Sequence, residues 1–288
     1  MKSIRISLLG FFSCLFALSY AGSDQDKVAE LKKRAFIVCV LEEDQEAIQG
    51  FKNDTAKIGK YKRAVQNHNK YFKECVQKYW TFHKVVEYKT YKEVEAIKQD
   101  PSLAKKYAYI DAHIYAIYTS DGMSPKTLST QIGYIQVYLM DVSKSLTYVT
   151  LPAIYPGELE FIYGVRQACN FIKGMEQGLG KPQLIKQNGP RLKDKILLLN
   201  SKEADPKVKV KGFGEDLPFK IKLVSQAEID AAVKSSDPKY AYIILSNEGD
   251  GVYVKVAVAC DDSSLLGFSI GGGLVTKGNL KDFAKSVD

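Results

Sequence analysis

The sequence predicts an α/β or α+β fold made of a duplicated mixed-sheet unit, each half running β-(α)-β-α-β-β-β-α with helices packed on the sheet. Three observations predict it. A short amphipathic stretch, an Asp-Pro pair and the residues Tyr-Ala-Tyr-Ile occur twice: Tyr91 to Pro101 leads to Tyr107-Ala108-Tyr109-Ile110, and Gln226 to Pro238 leads to Tyr240-Ala241-Tyr242-Ile243. The segments before and after each copy follow in the same order. Finally, helical periodicity alternates with period-two apolar runs early in each half, then gives way to three successive strand-like runs.

Met1-Lys2-Ser3-Ile4-Arg5 is cationic, and the apolar run Ile6 to Leu18 follows it. That run is shorter than the roughly 20 residues a membrane span needs. Ser19-Tyr20-Ala21 then places small residues before a polar stretch, Gly22 to Asp26. Charge, apolar run, small residues and polar start make residues 1–21 a signal peptide and the mature protein periplasmic or secreted. Cys14 lies inside the apolar run and not at the cleavage point, so lipidation is not expected.

The first half is read as residues 27–178. It opens with a strand, Ala35 to Leu41, followed by a long helix at about 58–80 carrying Val65, Phe72, Val76 and Tyr79 on one side. A strand from Phe82 to Tyr88 precedes the first repeated helix. Asp100-Pro101 is a helix boundary, because the residue before proline avoids the α region. After Tyr107 to Ile110 come a turn at Ser120-Asp121-Gly122, a strand from Gly133 to Leu139, an acid at Asp141, a strand from Leu146 to Leu151, and a helix from Gly157 to Gln177. Residues 179–191, rich in Gly, Pro, Gln and Lys, read as a linker.

The second half, residues 192–288, repeats the order. Strands are expected at Lys195 to Asn200 and Phe219 to Val224, with a Gly/Pro-containing loop in place of the long helix. After Tyr240 to Ile243, an Asn247 to Gly251 hairpin turn leads to the Val252 to Val258 strand. Asp261, a Leu265 to Ile270 strand and an Asn279 to Val287 helix close the chain. Nothing in the pattern decides whether the halves share one sheet.

Composition bounds the function. Apolar residues make up 45% of the chain, enough for a packed core. The formal charge of +8 falls to +6 when Lys2 and Arg5 leave with the leader. The lysines are interspersed with acids, so nucleic acid is not an expected partner. No other segment is long and charge-free enough to span a membrane. The mature chain holds Cys39, Cys75, Cys169 and Cys260, each within an apolar run. Export permits disulfides and four cysteines allow three pairings, but the apolar settings point to buried thiols. Without a C-x-x-C spacing, neither a zinc site nor a redox pair is predicted.

Motifs for catalysis are weak. Gly267-Phe268-Ser269-Ile270-Gly271 fits G-x-S-x-G, but such a serine sits at a strand-to-helix turn with its histidine downstream, and no histidine follows Ser269. Gly271-Gly272-Gly273 lacks phosphate-loop spacing. Asn247 to Gly251 lacks the alternating oxygens of a calcium loop. His68, expected on the polar side of its helix, and His83 and His113, on or beside strands, form no metal-ligand spacing. Glu42-Glu43-Asp44 and Asp261-Asp262 read as charged turns or strand ends. No catalytic, cofactor-binding or metal-ligating residue is assigned, and no cofactor is predicted. Tyrosine is the one enrichment: Tyr107, Tyr109, Tyr115, Tyr118, Tyr134, Tyr138 and Tyr148 crowd the first meander. Same-parity residues share a sheet face, so Tyr107, Tyr109 and Tyr115 share one side if no bulge intervenes. Such a face packs beneath a helix or stacks on a sugar or peptide, and packing is the expectation.

The expected function is an exported, non-catalytic binding or interaction protein whose partner is an unknown small molecule, glycan, peptide or envelope protein. The alternatives are an exported hydrolase with carboxylates in the cleft between the halves, or a structural component of a bacterial envelope.

Overall fold

The computed structural model describes residues 21–287 apart from 85, 120–126, 154–155, 209–213 and 249–250, and the side chains from 24 onward apart from 115–130 as well. The proposed leader and the Ser120-Asp121-Gly122 turn lie outside the described residues. The fold is mixed α and β, with two five-stranded mixed sheets.

The first sheet comprises β1 (Ala35–Val40), β2 (Val86–Thr90), β3 (Tyr107–Thr119), β4 (Thr127–Leu139) and β5 (Thr147–Leu151), in the order β2-β1-β3-β4-β5. β1 is parallel to both neighbours, whereas β3-β4 and β4-β5 are antiparallel. The second comprises β6 (Ile196–Asn200), β7 (Lys220–Val224), β8 (Tyr240–Asn247), β9 (Tyr253–Ala259) and β10 (Leu265–Gly271), in the order β7-β6-β8-β9-β10. Its pattern of parallel and antiparallel pairs is the same. The registers also correspond. Tyr107 lies opposite Ala35, the first residue of β1, and Tyr240 opposite Ile196, the first of β6.

The helices are α1 (Ala21–Lys33), α2 (Gln45–Gly50), α3 (Thr55–Tyr79), α4 (Tyr91–Lys98), α5 (Pro101–Ala104), α6 (Glu158–Glu176), α7 (Lys181–Asn188), α8 (Gln226–Lys234) and α9 (Lys277–Ala284). Several depart from the expected boundaries. Helices α1 and α2 were not expected. Asp100-Pro101 is the expected helix boundary: α4 ends at Lys98, and Asp100 then caps the short α5, with Pro101 in its first turn. The strand before α4 is described over Val86–Thr90, and Phe82 and His83, expected within it, pack on Trp80 instead. The 179–191 stretch read as a linker is helical, α7 followed by a 3-10 helix, Gly189–Asp194.

Packing stacks the two sheets. One face of the first sheet (Phe36, Val38, Ile110, Ile135, Val137) packs on α1, α3 and α6. The same core continues into one face of the second sheet, through Leu198, Tyr242, Ile244, Val256 and Val258. Helix α6 therefore has sheet on both sides, which is why Phe161, Ile162, Tyr163, Val165, Ala168, Cys169 and Ile172 are buried all around it. Arg166 fastens it to the second half: its guanidinium donates to the Cys260 carbonyl at 3.1 Å and the Ser236 hydroxyl at 2.8 Å. Asn170 donates to the Asp262 carbonyl at 2.9 Å. The far side of the second sheet packs under α9 through Ala241, Ile243, Ala257, Leu280 and Phe283. On the outer side of the first sheet, α4 and α5 cover a smaller core of Ile37, Cys39, Val94, Ala104, Tyr109 and Met140. Among the described residues, Cys39, Cys75, Cys169 and Cys260 are free and buried.

Candidate functional site

The residues singled out by motif are placed in structural roles. Ser269 lies within β10, is buried, and donates to Asp282 at 2.7 Å while accepting from Asn279 at 2.9 Å; it is not at a strand-to-helix turn. Gly271-Gly272-Gly273 leads to Thr276, which caps α9. The 247–251 stretch closes a hairpin, with the Glu248 N–H donating to the Val252 carbonyl, while Gly249 and Asp250 lie outside the described residues. Asp44 caps α2, Glu43 pairs with Lys62, and Asp261 and Asp262 pair with Arg191. His83 stacks on Phe36, accepts from the Trp80 indole at Nδ1 and donates from Nε2 to the Leu31 carbonyl. His68 was expected on a polar helix face. It packs instead between Phe72 and Phe161, 5.0 Å from the Phe161 ring, and burial pushes its imidazole down to about 4. Among the described residues, no His, Cys, Asp and Glu side chains gather in a group of three able to hold a metal.

The tyrosines are another matter. On strands, alternate residues share a face. Tyr109, Asp111 and His113 of β3 therefore line the outer face of the first sheet, directly opposite Tyr138, Gln136 and Tyr134 of β4. Tyr148 of β5 lies opposite Gln136 and extends the face. The Tyr109 and Tyr138 rings stack at 4.8 Å, and the Lys98 ammonium of α4 sits over both. Tyr138 donates to the Gln136 side-chain oxygen at 2.7 Å. The Tyr134 and Tyr148 rings meet edge-on at 5.9 Å. Tyr91, at the first position of α4, leans on His113 at 6.3 Å and is 45% exposed. Helix α4 thus covers Tyr109, as the packing expectation required. The β4 and β5 part of the face lies beyond it, and Tyr148 is 39% exposed. Tyr115 and Tyr118 have side chains outside the described residues.

Asp111 lies among these rings. It is only 8% exposed and its Oδ1 has no hydrogen-bond partner. Burial raises its carboxyl to about 7, against a smaller opposing effect of Lys98. Burial also raises the Tyr91 hydroxyl and lowers the His113 imidazole. Nearby, the Cys39 thiol is pushed up to about 12, chiefly by burial, and so stays protonated. The group therefore offers flat aromatic faces, an amide and a carboxyl that either donates or accepts near neutral pH.

No family model matches the chain, and neither a curated protein nor a solved structure does. The site must be read from its own chemistry. The second sheet supplies the comparison. Counted from the shared Tyr-Ala-Tyr, its corresponding cross-strand pairs are Tyr242 with Val258, Ile244 with Val256, and Ser246 with Val254. That face is closed against the shared core. Where the closed face carries Ile244, Val256, Val258 and Val254, the outer face of the first sheet carries Asp111, Gln136, Tyr138 and Tyr134.

Sequence reasoning found the tyrosines but not Asp111 or Gln136. The strand parity places them on the tyrosine face, but only the β3-β4 register sets them opposite each other.

Proposed function

We propose that the protein is an exported, non-catalytic binding protein built from one duplicated module, and that the outer face of its first sheet holds the ligand. Export rests on the order of charge, apolar run and small residues over 1–21. Duplication rests on the repeated segments, the shared strand order and a repeated ion pair. Arg34, immediately before β1, pairs with Asp141 and donates to the Tyr107 carbonyl. Lys195, immediately before β6, pairs with Asp261 and donates to the Pro238 carbonyl.

The observation that carries the binding reading is the exchange of aliphatic for aromatic and polar residues between register-matched faces. A face meant only to be buried takes mainly aliphatic side chains, as at four of the six matched positions in the second half, Ile244, Val254, Val256 and Val258. One meant to meet a partner takes tyrosine, which supplies a flat apolar surface and a hydrogen-bonding tip. Glycan rings and short peptides are ligands of that chemistry. The hydrolase alternative asks for paired carboxylates in the cleft between the halves, whereas a cavity between α6, α7 and the start of β10 is lined by Gln167, Asn170, Gln177, Gln187 and Asn188, which favours binding.

The test is a thermal-shift panel of glycans and short peptides on the mature chain, with Tyr91→Ala and Asp111→Asn alongside. A ligand at about 100 times its Kd stabilises by roughly 2.7 kcal/mol. The expected result is a raised melting temperature in the parent chain and a reduced shift in both variants. A parent chain unmoved by broad panels would count against the reading.

A further inference from the structure

A second site, separate from the tyrosine face, lies between the halves. A cavity of about 150 Å³ opens between the C-terminal part of α6, helix α7 and the residues entering β10. Gln167 and Asn170 line it from α6, Gln177 from the residue capping the end of α6, and Gln187 and Asn188 from α7. Ser264 adds a hydroxyl and Lys173 the one charge. The wall is held rigidly. Gly174 lets Leu184 of α7 approach so closely that a Cβ there would stand 2.8 Å from Leu184 Cδ1.

Gln167 is the decisive residue. It is 1% exposed, lines the cavity, and its Oε1 has no hydrogen-bond partner. A buried carbonyl oxygen without a donor is costly, so it is retained where a donor is supplied from outside the chain. Asn170 already spends its amide N–H on the Asp262 carbonyl, which fixes the side chain beside the cavity.

We infer that this cavity binds a neutral, hydroxyl-rich ligand of monosaccharide size, with Gln167 as its buried recognition group. A carboxamide presents a donor pair and an acceptor, and each ligand hydroxyl presents one of each, so five carboxamides match a polyol without charge. The cavity is smaller than the roughly 300–1,000 Å³ typical of drug-sized ligands, which restricts it to a compact one. Such binding would tie α6, α7 and β10 together.

The probes are glucose, galactose and mannose, titrated calorimetrically into the full chain. At least one hexose is expected to bind saturably. Gln167→Leu, which removes the orphaned oxygen and keeps an apolar side chain of similar size, is expected to weaken that hexose by about tenfold or more without lowering the melting temperature of the free protein. Gln187→Ala, an exposed position at the rim, gives a second reading if Gln167→Leu fails to fold, and should weaken binding as well. Tyr91→Ala should leave it unchanged, which separates this site from the sheet face. Absence of saturable binding by all three hexoses overturns the inference, as does hexose binding that survives both Gln167→Leu and Gln187→Ala.

Discussion

Asp111 shows how a side chain's setting gives it a chemistry its residue type does not have. An acid on a strand, beside tyrosines, reads from sequence as one more polar position. Its burial comes from β4 opposite and α4 above, which no local pattern encodes. The consequence is a pH-dependent stability of definite sign. Because the folded carboxyl titrates near 7 and the unfolded one near 3.9, its stabilising contribution is complete below about pH 4 and is lost as pH rises through 7. Asp111→Asn removes that dependence. Denaturant midpoints measured from pH 4 to 8 should show the parent losing stability relative to Asp111→Asn by an amount on the order of 3 kcal/mol. Parallel curves would show that the carboxyl is solvated. Asp141 carries the opposite sign, since hydrogen bonding to Arg34 holds its carboxyl below the usual range. Its contribution is present above pH 4 and is lost on acidification. Asp141→Asn and Asp261→Asn each leave a largely buried cation without its partner, and each should cost about 1–3 kcal/mol in chemical denaturation at neutral pH.

Among the elements, those with strong periodicity or clear caps were legible. The repeated helices α4 and α8 open on Thr90 with Glu93 and on Ser225 with Glu228, two capping boxes at matching places. The strands of both meanders could be read from alternation and from the Tyr-Ala-Tyr-Ile pair. Helix α1 could not, because only Val28 and Leu31 mark its buried side and the rest of AGSDQDKVAELKK is polar or small. Helix α7 was hidden by residues that usually punctuate loops. Gly180 is its N-cap, Pro182 sits in the first turn, and Gly189 follows its end, so turn-forming residues serve as helix boundaries. That segment is also closely packed. A Cβ on Gly189 would collide with the backbone carbonyl of Ser286. Because the obstacle is backbone, Gly189→Ala should destabilise by at least about 2 kcal/mol and loosen the C-terminal segment in hydrogen exchange. Unchanged protection around Phe283 would contradict this close packing.

At the scale of the molecule, the two sheets do not turn matching faces toward each other. The face that carries α8 in the second half is closed on α6, while the matching face of the first half, under α4, is outermost. Sequence similarity indicated two alike halves but not this order, because stacking depends on α6 being buried around most of its circumference, and its pattern reads as an ordinary one-sided helix. One core crosses both halves, so the full chain should unfold in a single transition. Residues 192–288 alone would expose Tyr242, Ile244, Val256 and Val258 and should aggregate or bind hydrophobic dyes. The most direct test of the open and closed faces is tyrosine nitration of the folded protein with residue-resolved mass spectrometry. Tyr91 and Tyr148 should be modified early, and Tyr163 and Tyr242 only when the protein unfolds. Early modification of Tyr242, at a rate matching Tyr148, would show that the second sheet is not closed against the first half.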